Sequence, residues 1–346
     1  MNSLTRLAFV GPMLGRHSGY VTVIGEILAR LLARSGHQVV LTSTCRIKLL
    51  RLLDIAFTLA ANRGKIDIQL LQVYGGLSFI GEDVASWLGR QFGQKIIMHI
   101  HGGAMREFVN SHSIWSRRVL SRADAIVCPS LFLARAMEEF GFKAHIIPNL
   151  IEVGTYPYRC RRQLLPRLFW MRTFHPVYNP EMAVRTLARV RKEFSEATLV
   201  MAGQDKGEQR AVLELTKQMR LQDAVTCPGF LNMEEKIREG STADIFLNTN
   251  RIDNTPVSVI EAGAFGLPIV ATNVGGIADL VSDGETALLV PDNDDEAMAA
   301  AVLRLLTSPN LAANLSANGR ALAERFSWEN VRPQWESLFA SVLHSL

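Results

Sequence analysis

Short apolar runs alternate with longer amphipathic stretches from one end of the chain to the other. The first six runs are LAFVG (7–11), QVVLTS (38–43), IQLLQVY (68–74), KIIMHIH (95–101), AIVCPS (125–130) and HIIPN (145–149). A second series follows: RLFWMR (167–172), ATLVMAG (197–203), AVTCPGF (224–230), DIFLNTN (244–250), PIVAT (268–272) and ALLVP (287–291). Runs of this length, rich in Val, Ile and Leu and without polar alternation, predict strands covered on both faces. Segments such as YVTVIGEILARLLARSG and PEMAVRTLARVRKEF lie between them and carry helical periodicity. Strand–helix alternation sustained over this length predicts an α/β protein built from doubly wound parallel sheets.

The two series of six predict two domains, 1–155 and 166–326. The aperiodic stretch EVGTYPYRCRRQLLP (152–166) reads as the linker, and 327–346 as a terminal helix that packs on either half and could cross back to the first. The halves share no sequence repeat. A chain of 346 residues is in any case too long for one ordinary core. In open parallel sheets ligands bind outside the carboxyl ends of the strands. Two such domains facing each other would form a cleft lined by both sets of strand ends, so chemistry is expected just after each strand.

Composition narrows the partners. Net charge is +4, with Lys and Arg dispersed along the chain, which argues against nucleic acid and leaves an anionic ligand or an acidic membrane surface. The cysteines at 45, 128, 160 and 227 have no CxxC spacing and read as reduced, mostly buried thiols of a cytoplasmic protein. No stretch approaches the ~18 uncharged residues of a spanning helix. MNSLTRLAFVG runs straight into a strand with no secretory signature. A soluble or peripherally attached protein is expected.

Candidate chemistry gathers at the strand ends. GPMLGRHSGY, after the first strand, places glycines at 11, 15 and 19. This is not GxGxxG, but it allows close backbone approach at a helix N-terminus, which favours anions; a plain βα turn is the other reading. HIHGG ends the fourth strand, and alternation points His99 and His101 to the same face. With no carboxylate nearby they make a poor metal site. His101, at the tip, is placed to touch a ligand, whereas His99 reads as part of the fold. Arg172 stands at the tip of the seventh strand, where its planar fork suits phosphate. After the eighth strand, Gly203 and Gly207 shape a loop with Asp205 or Lys206 near its mouth.

The segment DNTPVSVIEAGAFG (253–266) carries the most information. A helix is expected to begin near Thr255-Pro256, with Thr as N-cap and Pro in the first position. The N–H groups of Val257, Ser258 and Val259 would then form an anion cradle. Asp253 precedes that helix, and Glu261 lies about a turn and a half inside it at ~1.5 Å per residue. The bland reading makes Asp253 a loop residue and Glu261 a solvated one. The apolar surroundings of Glu261 argue instead for a buried carboxylate with partners.

In this order the features resemble the family 4 retaining glycosyltransferases of the GT-B fold. They are the glycine-containing first loop, HG after the fourth strand, PN at 148–149, the Arg opening the second series and AGQDKG (202–207). The acid-x7-acid segment follows, running into GLPIVATNVGGIADLV, then DGETALLVPDNDDEAMAAAV and a terminal FSW. The resemblance implies transfer of a sugar from a nucleotide-diphosphate sugar to an acceptor hydroxyl, with retention at the anomeric carbon and neither cofactor nor divalent metal. It places the reaction in bacterial glycan, exopolysaccharide, lipopolysaccharide or glycolipid synthesis. By the same resemblance Glu261 binds the nucleotide ribose, Asp253 contacts the donor sugar, Arg172 binds the diphosphate, His101 lies near the sugar and Gly19 approaches donor and acceptor. Three positions depart from the family pattern: an Asp stands where the first acid is usually Glu, the Lys expected a few residues after Arg172 is missing, and PNGVD reads PNLIE. Lys206 or His175 is the candidate substitute for that Lys. DND (292–294) resembles a DxD metal motif but falls in a loop before a helix and is not read as one.

RIKLLRLLDIAFTLAANRGK (46–65) has polar residues at 48, 51, 54, 58 and 62, a helical spacing. An ordinary helix packed on the sheet is the first reading. Peripheral contact with an anionic membrane, presenting a lipid-linked acceptor, is the second. A GT-B sugar-nucleotide epimerase and a nucleotide-sugar-binding protein without transfer activity are the alternative functions.

Overall fold

The computed structural model describes residues 4–15, 23–42, 44–102 and 105–344. The chain divides into two compact units, Met1–Leu150 with Trp328–Leu346, and Ile151–Ser327.

The first unit contains strands β1 (Arg6–Val10), β2 (Gln38–Leu41), β3 (Ile68–Val73), β4 (Lys95–Ile100), β5 (Ala125–Cys128) and β6 (Ala144–Ile146). They form one parallel sheet in the order β2-β1-β3-β4-β5-β6. Every residue of central β3 is buried, whereas the edge strands β2 and β6 are largely open. Helices cover both faces of β3, so that even its two glutamines, Gln69 and Gln72, are buried. The helix Trp328–His344 belongs to this unit. Its Trp335 is buried with Leu7, Phe9 and Val127 and stands edge-on to His99, ring centroids 5.2 Å apart.

The second unit contains β7 (Arg167–Met171), β8 (Thr198–Ala202), β9 (Val225–Gly229), β10 (Ile245–Asn248), β11 (Ile269–Thr272) and β12 (Leu288–Val290). Its order is β12-β11-β10-β7-β8-β9, again parallel throughout. Successive strands leave β7 first towards β9 and then, on the other side, towards β12. The direction of winding therefore reverses between β7 and β10. In the first sheet the same reversal falls between β1 and β3. Such switch points open a crevice at the carboxyl ends of the two strands.

Two expectations need correction. The stretch 152–166 is not a free linker: from Ile151 onward it is folded into the second unit. Arg161 is almost wholly buried there, and its guanidinium donates to the carbonyl oxygens of Gly240, Ala243 and Phe265. Nor are the cysteines mostly buried. Only Cys128 is; Cys45 and Cys227 are half-buried and Cys160 is exposed.

The helix Lys48–Ala61 buries Ile55 and Leu59 but leaves Leu49 68 %, Leu53 59 % and Phe57 76 % exposed, so part of its apolar face is not covered by the sheet. Among the described residues no helix is long and apolar enough to cross a membrane.

Candidate functional site

Arg172 follows β7 and Asp253 follows β10, on the two sides of the switch point in the second sheet. Their side chains form an ion pair through Arg172 Nη2 and Asp253 Oδ2. The guanidinium lies over the Tyr178 ring, 4.4 Å from its centroid. Nε of Arg172 is buried without a hydrogen-bond partner. Asp253 is held from several sides: Asn250 Nδ2 donates to Oδ2 at 2.7 Å, and the Asn254 N–H donates to Oδ1 at 2.7 Å. Its carbonyl accepts from the Gly276 N–H at 2.9 Å.

Two glycines make this packing possible. A Cβ at Gly203 would collide with the carbonyl oxygen of Arg172, and one at Gly275 with that of Asp253. Gly275 also has φ +53, in the left-handed region that favours glycine. Gly203, expected as a donor-binding residue, thus lies against the backbone of Arg172.

The helix after Asp253 spans Val257–Phe265. Pro256, not Thr255, occupies the N-cap, with ψ 111. Pro256 itself is extended rather than helical, so the helix starts one residue later than expected. Thr255 makes no capping bond; its hydroxyl is buried without a partner, and so is that of Ser258. The Val259 N–H turns back to Pro256 O at 3.0 Å. The N–H groups of Val257 and Ser258 stand at the front of the helix, where the dipole favours an anion.

Glu261 is buried in this helix and has partners. Tyr156 donates its hydroxyl to Oε1 at 2.7 Å, and Lys236 Nζ donates to the same oxygen at 2.6 Å. Burial and the neighbouring carboxylate hold the Tyr156 phenol well above its ordinary pKa, so it remains a donor. Neither Tyr156 nor Lys236 stands out in the sequence. Lys236 sits in MEEKIREG, which looks like a solvated helix face; the capping box of Asn232 and Glu235 fixes the start of that helix and was its one legible sign.

The other expected residues are more dispersed. Lys206 is exposed, its N–H bonded to Phe174 O at 2.9 Å. Asp205 caps the following turn, accepting from Gly207 and Gln209, and those N–H groups lower its pKa. His175 Nδ1 accepts from the Val177 N–H at 3.2 Å. In DND, Asn293 accepts from Asn179, and Asp294 caps the next helix through the Ala297 N–H.

In the first unit, His101 follows β4 and is buried. Its Nε2 lies 2.8 Å from Gln72 Oε1, and its ring stacks on Tyr74. Burial pushes its pKa down to about 3. His99 lies beside it, ring centroids 4.1 Å apart, with neither ring nitrogen bonded. Gly19 lies outside the described residues. Among the described residues on either side, the N–H groups of Gly15 and Val23 both donate to the carboxylate of Glu26, an internal anion at the helix start.

Two family models match this sequence. That for glycosyl transferases group 1 covers residues 165–322 and that for glycosyltransferase family 4 covers 48–154. An N-acetyl-alpha-D-glucosaminyl L-malate synthase of Bacillus anthracis is 27 % identical over 178 residues, 51 % of this chain and 45 % of that protein. The chain thus spans about half the length of this curated relative. Among solved structures, a sucrose-phosphate synthase of Thermosynechococcus elongatus superposes with TM-score 0.81 at 19 % identity, covering 98 % of this chain and 99 % of that one. HepE of Anabaena, solved with UDP and glucose, gives TM-score 0.78 at 15 % identity over 97 % and 100 %. These likenesses identify the fold as GT-B.

Proposed function

We propose that this chain, which belongs to the family 4 glycosyltransferases, moves a sugar from a nucleotide-diphosphate sugar to an acceptor hydroxyl, with retention and without a divalent metal. The observation that carries the reading is the placement of Arg172 and Asp253 at the switch point of the second sheet, directly before the Val257–Phe265 helix. There a cation, a helix N-terminus and the unpaired hydroxyls of Thr255 and Ser258 lie on one short segment and its neighbour. That set suits a diphosphate.

In this reading Arg172 and the helix N-terminus stabilise the charge that grows on the leaving diphosphate. Asp253 orients the sugar. Glu261, anchored through Oε1, takes the ribose hydroxyls. The departing phosphate accepts the acceptor proton on the face it leaves, so no separate strong base is needed. His101 is neutral and meets the sugar as a hydrogen-bonding group. The UDP in the Anabaena structure supports a nucleotide-sugar donor. The first unit takes the acceptor, a glycan or a lipid-linked sugar, in bacterial polysaccharide or glycolipid assembly on the cytoplasmic side. Its Lys48–Ala61 helix makes peripheral contact with an anionic membrane.

The test is a melting-point screen with nucleoside diphosphates and nucleotide-sugars, because a bound ligand raises stability by mass action. Glu261→Ala should abolish the shift produced by the best nucleotide. Transfer assayed with that donor should persist in EDTA. A screen without any shift would remove the reading. One observation favours a second reading: Asp253 already occupies the cation that a diphosphate needs. A protein that binds nucleotide-sugar yet turns over no acceptor would fit it, and so would epimerised donor formed without acceptor.

A further inference from the structure

The first unit contains a cavity of about 680 Å³ at the switch point of its sheet. Val10, Gly11 and Gly75, just at or beyond the carboxyl ends of β1 and β3, form its floor. Leu49, Leu52 and Ile55 of the Lys48–Ala61 helix and Leu77 and Ile80 opposite form apolar walls. The volume lies in the range of ligand pockets, ~300–1,000 Å³.

Two charged groups, Lys48 and Arg51, stand on the helix side, and Arg51 is fixed by donating to the carbonyl oxygens of Cys45 and Arg46. Glu82 is the acidic residue of the lining. It is 2 % exposed, and its Oε2 is buried with no hydrogen-bond partner. Burial lifts its pKa to about 8, so the acid stays mostly protonated near neutral pH and the wall carries no negative charge. Residues 46–65 hold five Lys or Arg against one Asp. The uncovered Leu49, Leu53 and Phe57 continue the apolar surface outward from the cavity.

Uncharged hydrocarbon walls closed by cations select an amphiphile. A sugar would find almost no partners inside, and a free phosphate would leave the walls unfilled. We propose that this cavity binds the hydrocarbon chain of an anionic lipid acceptor, with its phosphate beside Lys48 and Arg51. The inference rests on the reading of the first unit as the acceptor half, and it narrows the acceptor to one with a lipid anchor.

Dodecyl phosphate, dodecanol and inorganic phosphate are the probes, titrated into the full chain below their micelle-forming concentrations. Dodecyl phosphate should bind, dodecanol about tenfold more weakly for want of the charge-assisted bond, and inorganic phosphate not measurably. Leu52→Trp and Ile80→Trp, each filling the cavity from a different side, should abolish binding. Lys48→Glu should weaken dodecyl phosphate but not dodecanol. Leu53→Ser with Phe57→Ser, outside the lining, should leave dodecyl phosphate binding intact while reducing attachment to phosphatidylglycerol vesicles. Circular dichroism and the UDP-induced melting shift of each variant separate misfolding, and failure of the donor reading, from loss of the lipid site. Equal binding by wild type and both Trp variants, or displacement of dodecyl phosphate by inorganic phosphate, would overturn the proposal.

Discussion

Arg172 and Asp253 close an ion pair across the point where the second sheet reverses its winding. Each is 22 % and 12 % exposed at the side chain, so the pair is neither fully screened nor dry. Its worth lies in aim. Tyr178 under the guanidinium and Asn250 on the carboxylate hold both groups where the strands end. Arg172→Ala should lower transfer about 10²–10³-fold, the effect of removing one preorganised donor from developing charge. Arg172→Lys should recover little of it, since an ammonium cannot serve a carboxylate and a phosphate through separate nitrogens of one fork. Steady-state rates with the donor found by screening check both; full activity in the Lys variant would show that a point charge is sufficient.

Lys236 and Tyr156 converge on one oxygen of Glu261. Lys236→Met should leave the carboxylate less firmly oriented and raise the Kd for nucleoside diphosphate about tenfold, with kcat changed far less. Tyr156→Phe should do the same more mildly. Isothermal titration with the nucleotide alone reads the effect, because a role limited to holding the helix would shift the melting point and leave the affinity of the folded protein unchanged.

The strands were legible because central strands of covered parallel sheets are mostly apolar: Ile269–Thr272 is buried throughout, and so is Ile68–Val73 even with Gln69 and Gln72 in it. Arg172, Asp253 and Glu261 were legible because each is a polar group set against such a run. What escaped was of two kinds. Arg161 lies in an aperiodic stretch that reads as a linker, yet it is buried by bonds to carbonyls more than 70 residues away in sequence. Lys236 lies on a strongly polar helix, where nothing local distinguishes a charge that turns inward from one that stays in water. Long-range pairing of that kind leaves no periodic trace. The N-cap moved by one residue, from Thr255 to Pro256, because Pro256 takes an extended ψ of 111 instead of opening the helix.

His99 and His101 are both buried neutral, and burial is the cause that depresses each pKa. The unfolded chain takes up their protons near pH 6.5, whereas folded His101 resists until about pH 3. Between those values the unfolded state binds more protons, so stability falls as the pH is lowered through that window. The stabilising difference is complete above pH 6.5. Melting of the first unit followed from pH 7 to pH 4 should show this loss, and the double variant His99→Phe with His101→Gln should flatten the profile. A variant with the parent's slope would assign the acid sensitivity to other groups.

Arg161 joins the ends of two helices. It donates to Gly240 and Ala243 at the end of Met233–Thr242, and to Phe265, the last residue of Val257–Phe265, the helix that carries Glu261. Carbonyl-rich helix ends favour a cation, which offsets part of the cost of burying it. The compensation is incomplete: burial, with the nearby Arg159, lowers its pKa to about 10, still charged at neutral pH. Arg161→Ala removes the charge but leaves three buried carbonyls without their donor, at a cost of about 3 kcal/mol or more. Through a domain of this size that should lower the melting point by roughly 6–12 °C, at ~2–4 °C per kcal/mol. Arg161→Lys should recover only part, since one ammonium cannot span both helix ends. Calorimetry of the full chain reads the transition of the second unit directly, and an Ala variant melting with the parent would show that water replaces the guanidinium at no cost.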